Sequence, residues 1–168
     1  MVRSRRRTKR EVLRSRGGRF HDDPEREPTT YLADSVKTAW LEVRAHAGEA
    51  HVNMRAFQAW RVVLPERVAR RLVDLRTRDQ QARYHITQAA LEADPAPDSG
   101  KALARRLRKG GSGIIYRSVR NRPDGVCVAL FLEGTEGDLS VAPAEAEWER
   151  FIQSALVGEP GEKREGSS

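Results

Sequence analysis

The sequence of 168 residues predicts one mixed α+β domain, and three observations lead to this fold class. Several segments carry apolar residues at three- and four-residue spacing, which is typical of amphipathic helices. Short runs rich in β-branched residues lie between them and indicate strands. These strands and helices do not alternate in the regular rhythm that builds a doubly wound parallel sheet.

The N-terminal part is predicted from its charge, its turn residues and one helical pattern. Residues 1–16 are polar and basic and should form a flexible arm ahead of a glycine turn. A strand is expected over residues 29–32, which are β-prone. Asp34 or Ser35 should then cap a helix over residues 35–47, because apolar residues recur there at helical spacing.

The middle of the chain is predicted as two strands and a helix of weaker pattern. Runs rich in β-formers over residues 57–64 and 68–75 are separated by Pro65 and indicate two strands. A helix is expected over residues 79–93, and the proline-rich stretch that follows should end it.

The C-terminal part carries stronger signals. The Pro-Asp-Gly sequence at residues 123–125 lies between two β-branched runs and predicts a hairpin. Trp148 and Ile152 lie on one face of a final helix and should be buried. We expect a disordered tail over residues 158–168, so that the folded domain spans residues 17–157. The elements predicted here are a helix over residues 101–109 capped by Asp98 or Ser99, strands over 113–119 and 126–132, and a helix over 144–156.

The positive charge is concentrated at the N-terminus. The formal net charge is +7, but residues 1–20 alone carry nine basic residues against one acidic residue. The remaining 148 residues therefore have a net charge of −1. A basic arm can neutralise nucleic-acid phosphates, so nucleic-acid binding through residues 1–20 is one alternative function. Against it, the rest of the chain adds no net positive charge and no aromatic-rich stacking surface.

Several classes of protein are excluded by the composition. No run approaches the roughly 18 consecutive apolar residues that a membrane-spanning helix needs, and no apolar stretch follows the basic N-terminus as in a signal peptide. Cys127 is the single cysteine, which excludes an internal disulfide and a cysteine-rich zinc site. We therefore expect a cytoplasmic protein without a metal. The four histidines lack metal-ligand spacing and are expected at the surface; they are His21, His46, His51 and His85.

The sequence contains no Walker loop, no dinucleotide-binding fingerprint and no nucleophile elbow. Three short blocks of residues are more informative about function. The first block is Gly-Gly-Arg-Phe at residues 17–20. The second runs from Tyr31 to Glu42, eleven residues later on the predicted helix. The third, residues 113–120, contains the predicted strand over residues 113–119, and an apolar strand at residues 126–131 follows it.

The order and spacing of these blocks resemble the RES domain, a family named for an arginine, a glutamate and a serine. The resemblance covers about residues 17–132. It implies an ADP-ribosyltransferase-like fold, a mixed sheet with flanking helices. It also implies a toxin of a bacterial type II toxin–antitoxin system that consumes NAD+ as substrate, by hydrolysis or phosphorolysis of the nicotinamide–ribose bond. Some family members instead transfer ADP-ribose to a protein, which is the alternative activity. The implied partner is an Xre-like helix-turn-helix antitoxin that covers the NAD site.

The resemblance assigns Arg19, Tyr31, Glu42 and Ser118 to the active site, and their chemistry is consistent with this. Cleavage passes through an oxocarbenium-like ribose, which a carboxylate such as that of Glu42 should stabilise. A guanidinium binds pyrophosphate with two parallel bonds, a role suited to Arg19 with help from Arg120. Tyr31 offers a ring to nicotinamide or a hydroxyl to ribose. Ser118 should hydrogen-bond the ligand rather than act as nucleophile, because no histidine or aspartate partner is evident.

Each of these residues also has a purely structural interpretation, and one family feature is missing. Glu42 could face solvent, Tyr31 could pack in the core, Ser118 could precede a turn, and Arg19 could be one more arm charge. Family members carry an arginine-bearing strand ahead of the glycine block, where this chain has only the basic arm. We therefore expect that first strand either to be absent, as in a degenerate copy or one with a shortened or misplaced start, or to be replaced poorly by Glu11-Val12-Leu13-Arg14.

Overall fold

The computed structural model describes residues 2–4, 9–13, 18–21, 23, 26–46, 53–93 and 98–157. The strands are β1 (Val2–Ser4), β2 (Thr29–Ala33), β3 (Phe57–Val63), β4 (Leu72–Asp74), β5 (Gly113–Arg117), β6 (Val126–Phe131) and β7 (Ser140–Pro143). The helices are α1 (Lys9–Leu13), α2 (Val36–His46), α3 (Glu66–Ala69), α4 (Arg78–Arg83), α5 (Gln88–Glu92), α6 (Asp98–Leu107) and α7 (Glu145–Val157). Two short 3-10 turns, Met54–Ala56 and Glu136–Asp138, complete the described elements.

The strands form two sheets. The larger sheet has the order β2-β6-β5-β4 and is mixed, because β4 pairs with β5 in parallel while the other pairs are antiparallel. The smaller sheet has the order β1-β3-β7 and is antiparallel throughout. The mixed sheet with flanking helices is the architecture that the sequence predicts.

Both faces of the larger sheet are covered. Along β6, Cys127, Ala129 and Phe131 join the core under α5 and α6, while Leu130 points the other way into a cluster that contains Leu13. This alternation follows from the two-residue period of a strand. A third cluster packs α2 and α7 on the smaller sheet, with the two tryptophans Trp40 and Trp148 at its centre.

The elements with the strongest sequence signals are confirmed. They are β2, α2, α6, α7 and the β5–β6 hairpin, in which Arg117 pairs with Val126. Ser35 caps α2 as predicted, since its Oγ accepts the Thr38 N–H at 3.1 Å. Trp148 and Ile152 are buried, as the helical pattern of α7 indicates.

The N-terminal prediction is corrected in two places. Within the predicted arm over residues 1–16, Val2–Ser4 pair with β3 and Lys9–Leu13 form α1. Val12 and Leu13 are fully buried, because burying this apolar pair against the sheets outweighs the high charge of its neighbours. A strand therefore does precede the glycine block, contrary to the expectation that it is absent. The boundary of the folded domain stays a prediction, and the predicted tail lies outside the described residues.

The middle of the chain also differs from its prediction. Residues 68–75 form the end of α3 and the short β4 rather than one strand, because Pro65 starts a helical turn. The helix predicted over residues 79–93 is split into α4 and α5. Between them His85 has a φ of 54°, and the Thr87 side chain caps α5 by accepting the Ala90 N–H.

Candidate active site

The structure brings Glu42 and Ser118 into contact. Glu42 lies on α2, and Ser118 directly follows β5. The Ser118 hydroxyl donates a hydrogen bond to Glu42 Oε1 at 2.6 Å, across 76 residues of sequence. Ser118 is buried and Glu42 is half-buried, so the carboxylate is held at the edge of the core.

The turn after β5 fixes the orientation of the Ser118 hydroxyl. Its Oγ accepts the backbone N–H groups of Arg120 at 3.2 Å and Asn121 at 3.0 Å. The Ser118 N–H donates to Gly125 O at 2.8 Å, and the Gly125 N–H donates to Asn121 O at 2.7 Å. With its oxygen occupied by two donors, the hydroxyl directs its single proton at Glu42.

The start of α2 binds the same turn through Thr38. Thr38 lies four residues before Glu42 and therefore on the same face of the helix. Its side chain is fully buried. Thr38 Oγ1 lies 2.8 Å from Ser35 Oγ, and it accepts a hydrogen bond from Asn121 Nδ2 at 2.8 Å.

Tyr31 connects β2 to the glycine block. Its hydroxyl accepts the Phe20 N–H at 2.9 Å and lies 3.2 Å from His21 Nδ1. A Cβ at Gly18 would come closer than 3.0 Å to the Tyr31 ring, so only glycine allows this approach. Burial raises the pKa of Tyr31 well above its ordinary value, and the Phe20 N–H and the charge of Arg108 oppose this only in part. The Tyr31 hydroxyl therefore stays protonated, and it already contacts Phe20 and His21.

His21 is buried, which corrects the prediction of a surface histidine. Only 3% of it is exposed, and its ring packs at 5.9 Å between centroids from that of Tyr31. The glycine block is therefore folded into the site wall through both Phe20 and His21.

Arg19 lies against the end of α5. Its guanidinium donates to the Leu91 carbonyl oxygen. The neighbouring Glu92 has a lowered pKa, first because Gln88 donates to it and also because of the positive charges of Arg122 and Arg19. Arg19 is half-buried and is thus held near a carboxylate rather than extended into solvent.

Tyr116 packs edge-on against Phe20 in the core cluster beside these groups, and it was not among the predicted site residues. It is buried, and its pKa is raised by burial first and then by the nearby Cys127, Tyr31 and Glu42, with Arg19 opposing. A sequence signal for it existed, because alternate residues of a strand share a face and Tyr116 precedes Ser118 by two. Tyr31 packs against the same core cluster as Tyr116, and the charges of Glu42 and Arg19 act on the Tyr116 phenol.

Cys127 faces the same carboxylate from β6. Its sulfur lies 3.9 Å from Glu42 Oε1. Burial raises the pKa of the thiol to about 12, and the charges of Glu42 and Asp34 add to this. The thiol is therefore neutral and unsuited to act as a nucleophile, since the thiolate is the reactive form.

Arg120 differs from the other candidates. Its backbone N–H binds Ser118, but its side chain is exposed at the rim of the turn.

Among the described residues, no group of three or more histidine, cysteine or acidic side chains is placed to hold a metal ion. In the same part of the chain, every helix is too short or too polar to cross a membrane.

Comparison with known proteins identifies the family. The model of the RES domain matches residues 4–151, which is most of the chain. The fold is similar to a chain in the crystal structure of the M. tuberculosis MbcT-MbcA toxin-antitoxin complex, with a TM-score of 0.60 and 17% sequence identity. That match covers 89% of this chain and 85% of the other. No curated protein matches the sequence. Because the family model matches most of its residues, this chain belongs to the RES domain family.

Proposed function

We propose that this chain is the toxin of a toxin–antitoxin pair and consumes NAD+ by cleaving the bond between nicotinamide and ribose. The observation that carries the proposal is the contact between Glu42 and Ser118, which holds a half-buried carboxylate at a fixed place beside Tyr116. The family of the chain and the grouping of Arg19 and Tyr31 at the same site support it.

In this proposal, the main role of Glu42 is to stabilise the positive charge that develops during bond cleavage. As the bond from ribose C1′ to the nicotinamide nitrogen breaks, nicotinamide leaves with the electron pair and positive charge develops on the ribose. The carboxylate stabilises that charge and hydrogen-bonds a ribose hydroxyl. Water adds to C1′ and releases its proton, giving ADP-ribose and nicotinamide. If phosphate adds instead, the product is a phosphorylated ADP-ribose.

The two arginines have unequal roles in this proposal. Arg19 is half-buried and close to the site, so it is the stronger candidate for the pyrophosphate. One nitrogen of the guanidinium donates to the Leu91 carbonyl, so in this proposal the pyrophosphate is bound through the other N–H groups of Arg19. Arg120 reaches only from the exposed rim and could add a second, weaker contact.

A helix-turn-helix antitoxin of the Xre type completes the proposal as the partner that covers this site. The solved structure of similar fold is a toxin-antitoxin complex, which supports a protein partner. Nucleic-acid binding by a flexible arm loses support, because two stretches of residues 1–20 are folded onto the sheets.

The test is to incubate the purified chain with NAD+ and quantify nicotinamide, with and without phosphate. Glu42→Gln keeps an oxygen that can accept from Ser118 but removes the negative charge, so we expect loss of at least about 99% of the activity. Glu149→Gln is the matched control, an exposed helical glutamate on α7, and should act like the wild type.

The outcomes of this test separate the proposed reactions. An inactive wild type, or equal activity in Glu42→Gln, would overturn the proposal. Label from NAD+ that appears on protein in a cell extract would instead assign the ADP-ribosyltransferase activity.

A further inference from the structure

We infer that Thr38 and Asn121 are positioning residues for the proposed reaction, joining the turn after β5 to α2 and thereby setting the position of the Glu42 carboxylate. The inference rests on the proposed function and extends it to two residues outside the substrate-binding set. Neither residue belongs to the four that the family resemblance assigns to the active site.

The hydrogen bonds at this place form a closed ring. Glu42 accepts from Ser118, whose Oγ accepts the Asn121 N–H. The side chain of the same Asn121 donates to Thr38 Oγ1, and α2 leads from Thr38 back to Glu42. Each contact lies between 2.6 and 3.0 Å. A displacement of the turn relative to α2 must therefore break at least one bond of the ring.

The turn itself fixes the backbone of Asn121, independently of the contact with α2. Its carbonyl oxygen accepts the Gly125 N–H at 2.7 Å. A Cβ at Gly125 would lie 2.7 Å from Asn121 Cβ, so the turn closes over Asn121 only because residue 125 is glycine. An amide already fixed by its backbone loses little further entropy when it binds Thr38.

The buried contact matters more than the exposed one on the same turn. Arg122 also ties the turn to the core, through an ion pair of 2.5 Å with Glu92 on α5. The Arg122 side chain is 58% exposed, and exposed ion pairs contribute little. The bond between Asn121 and Thr38 is partly buried and Thr38 itself is fully buried, so losing this bond has the larger cost.

The expected kinetic effect follows from where the ring acts. Thr38 and Asn121 are placed to set the direction of the carboxylate rather than to bind NAD+. Loss of their contact should therefore lower kcat and leave KM nearly unchanged. A misplacement of about 1 Å can lower a rate about a hundredfold, so we expect a loss of about ten- to hundredfold.

The test compares two substitutions at one buried position. Thr38→Val removes the hydroxyl and keeps the shape, whereas Thr38→Ser keeps the hydroxyl. Thr135→Val is the matched control: Thr135 is also buried, and its hydroxyl donates to the Phe131 carbonyl at the opposite end of β6. We expect kcat to fall in Thr38→Val, and to stay within about threefold of the wild type in Thr38→Ser and Thr135→Val. Equal kcat in Thr38→Val and Thr135→Val would overturn the inference.

A second measurement does not depend on activity. The Arg120 and Asn121 amides bind Ser118 Oγ, so their hydrogen exchange reports whether the turn is docked. Exchange over residues 118–125 should be faster in Thr38→Val than in the wild type and unchanged in Thr38→Ser. Unchanged exchange in Thr38→Val would overturn the positional role. If the wild type consumes no NAD+, the proposed function fails, while this measurement still decides whether the contact holds the turn.

Discussion

Replacing Ser118 by alanine should destabilise the protein well beyond an ordinary serine substitution. The change removes one donor to the Glu42 carboxylate and the acceptor of two backbone N–H groups. A hydrogen bond to a charged group contributes about 1.5–3 kcal/mol, and each neutral one about 0.5–1.5 kcal/mol. Because the freed N–H groups lie near the surface and can bind water, the net cost should be about 3 kcal/mol rather than the full sum.

Thermal unfolding followed by circular dichroism measures this cost. For a chain of this size, about 3 kcal/mol lowers the melting temperature by about 6–12 °C. Ser154→Ala is the control, because Ser154 is an exposed serine on α7 whose hydroxyl makes one local bond to the Phe151 carbonyl. It should change the stability by less than about 0.5 kcal/mol. If both variants melt at the same temperature, the Ser118 hydroxyl does not organise the turn and does not fix the position of Glu42.

Four further predictions concern residues around the site. Gly18→Ala should cost about 1–3 kcal/mol in urea unfolding, because the new Cβ displaces the Tyr31 ring; an unchanged midpoint would contradict the packing. Arg108→Met should lower the free energy of unfolding by about 3 kcal/mol. The Arg108 side chain is only 10% exposed, and it binds Thr29 Oγ1 at 2.6 Å as well as Glu133. A decrease below about 1 kcal/mol would refute this. Cys127 should react with iodoacetamide at pH 8 at least about a hundredfold more slowly than a free cysteine, since its pKa is raised to about 12. The folded state keeps this proton longer than the unfolded state, so the stability it contributes is complete below about pH 9 and is lost as the pH rises towards 12; Cys127→Ala should flatten that alkaline loss.

The sequence predicts best the elements that carry their own local signals. α2 has a capping serine and apolar residues at helical spacing, and the β5–β6 hairpin has its Pro-Asp-Gly turn. β1 and β7 have only three and four residues, and their pairing with β3 supplies what their own sequences lack. α1 shows the same dependence, because a five-residue helix is unstable alone and is held by two fully buried side chains.

The membership of the site could be anticipated, but its connections could not. Family resemblance named Glu42 and Ser118, and the strand period could have added Tyr116. The bond between Thr38 and Asn121 joins residues 83 positions apart, and no local pattern signals it. Such contacts depend on the tertiary placement of the turn against the helix.

The geometry also changes what Ser118 can do. A hydroxyl has one proton, and that of Ser118 is donated to Glu42 Oε1, so it cannot also be donated to a ligand. The expectation of a direct hydrogen bond from Ser118 to the substrate therefore gives way to a positioning role in our proposal. Because Oε1 is occupied by Ser118, the second oxygen of the half-buried Glu42 carboxylate is the one left to meet the ribose. In this proposal, Ser118 contributes to catalysis only by orienting the carboxylate, so that its second oxygen points to the ribose.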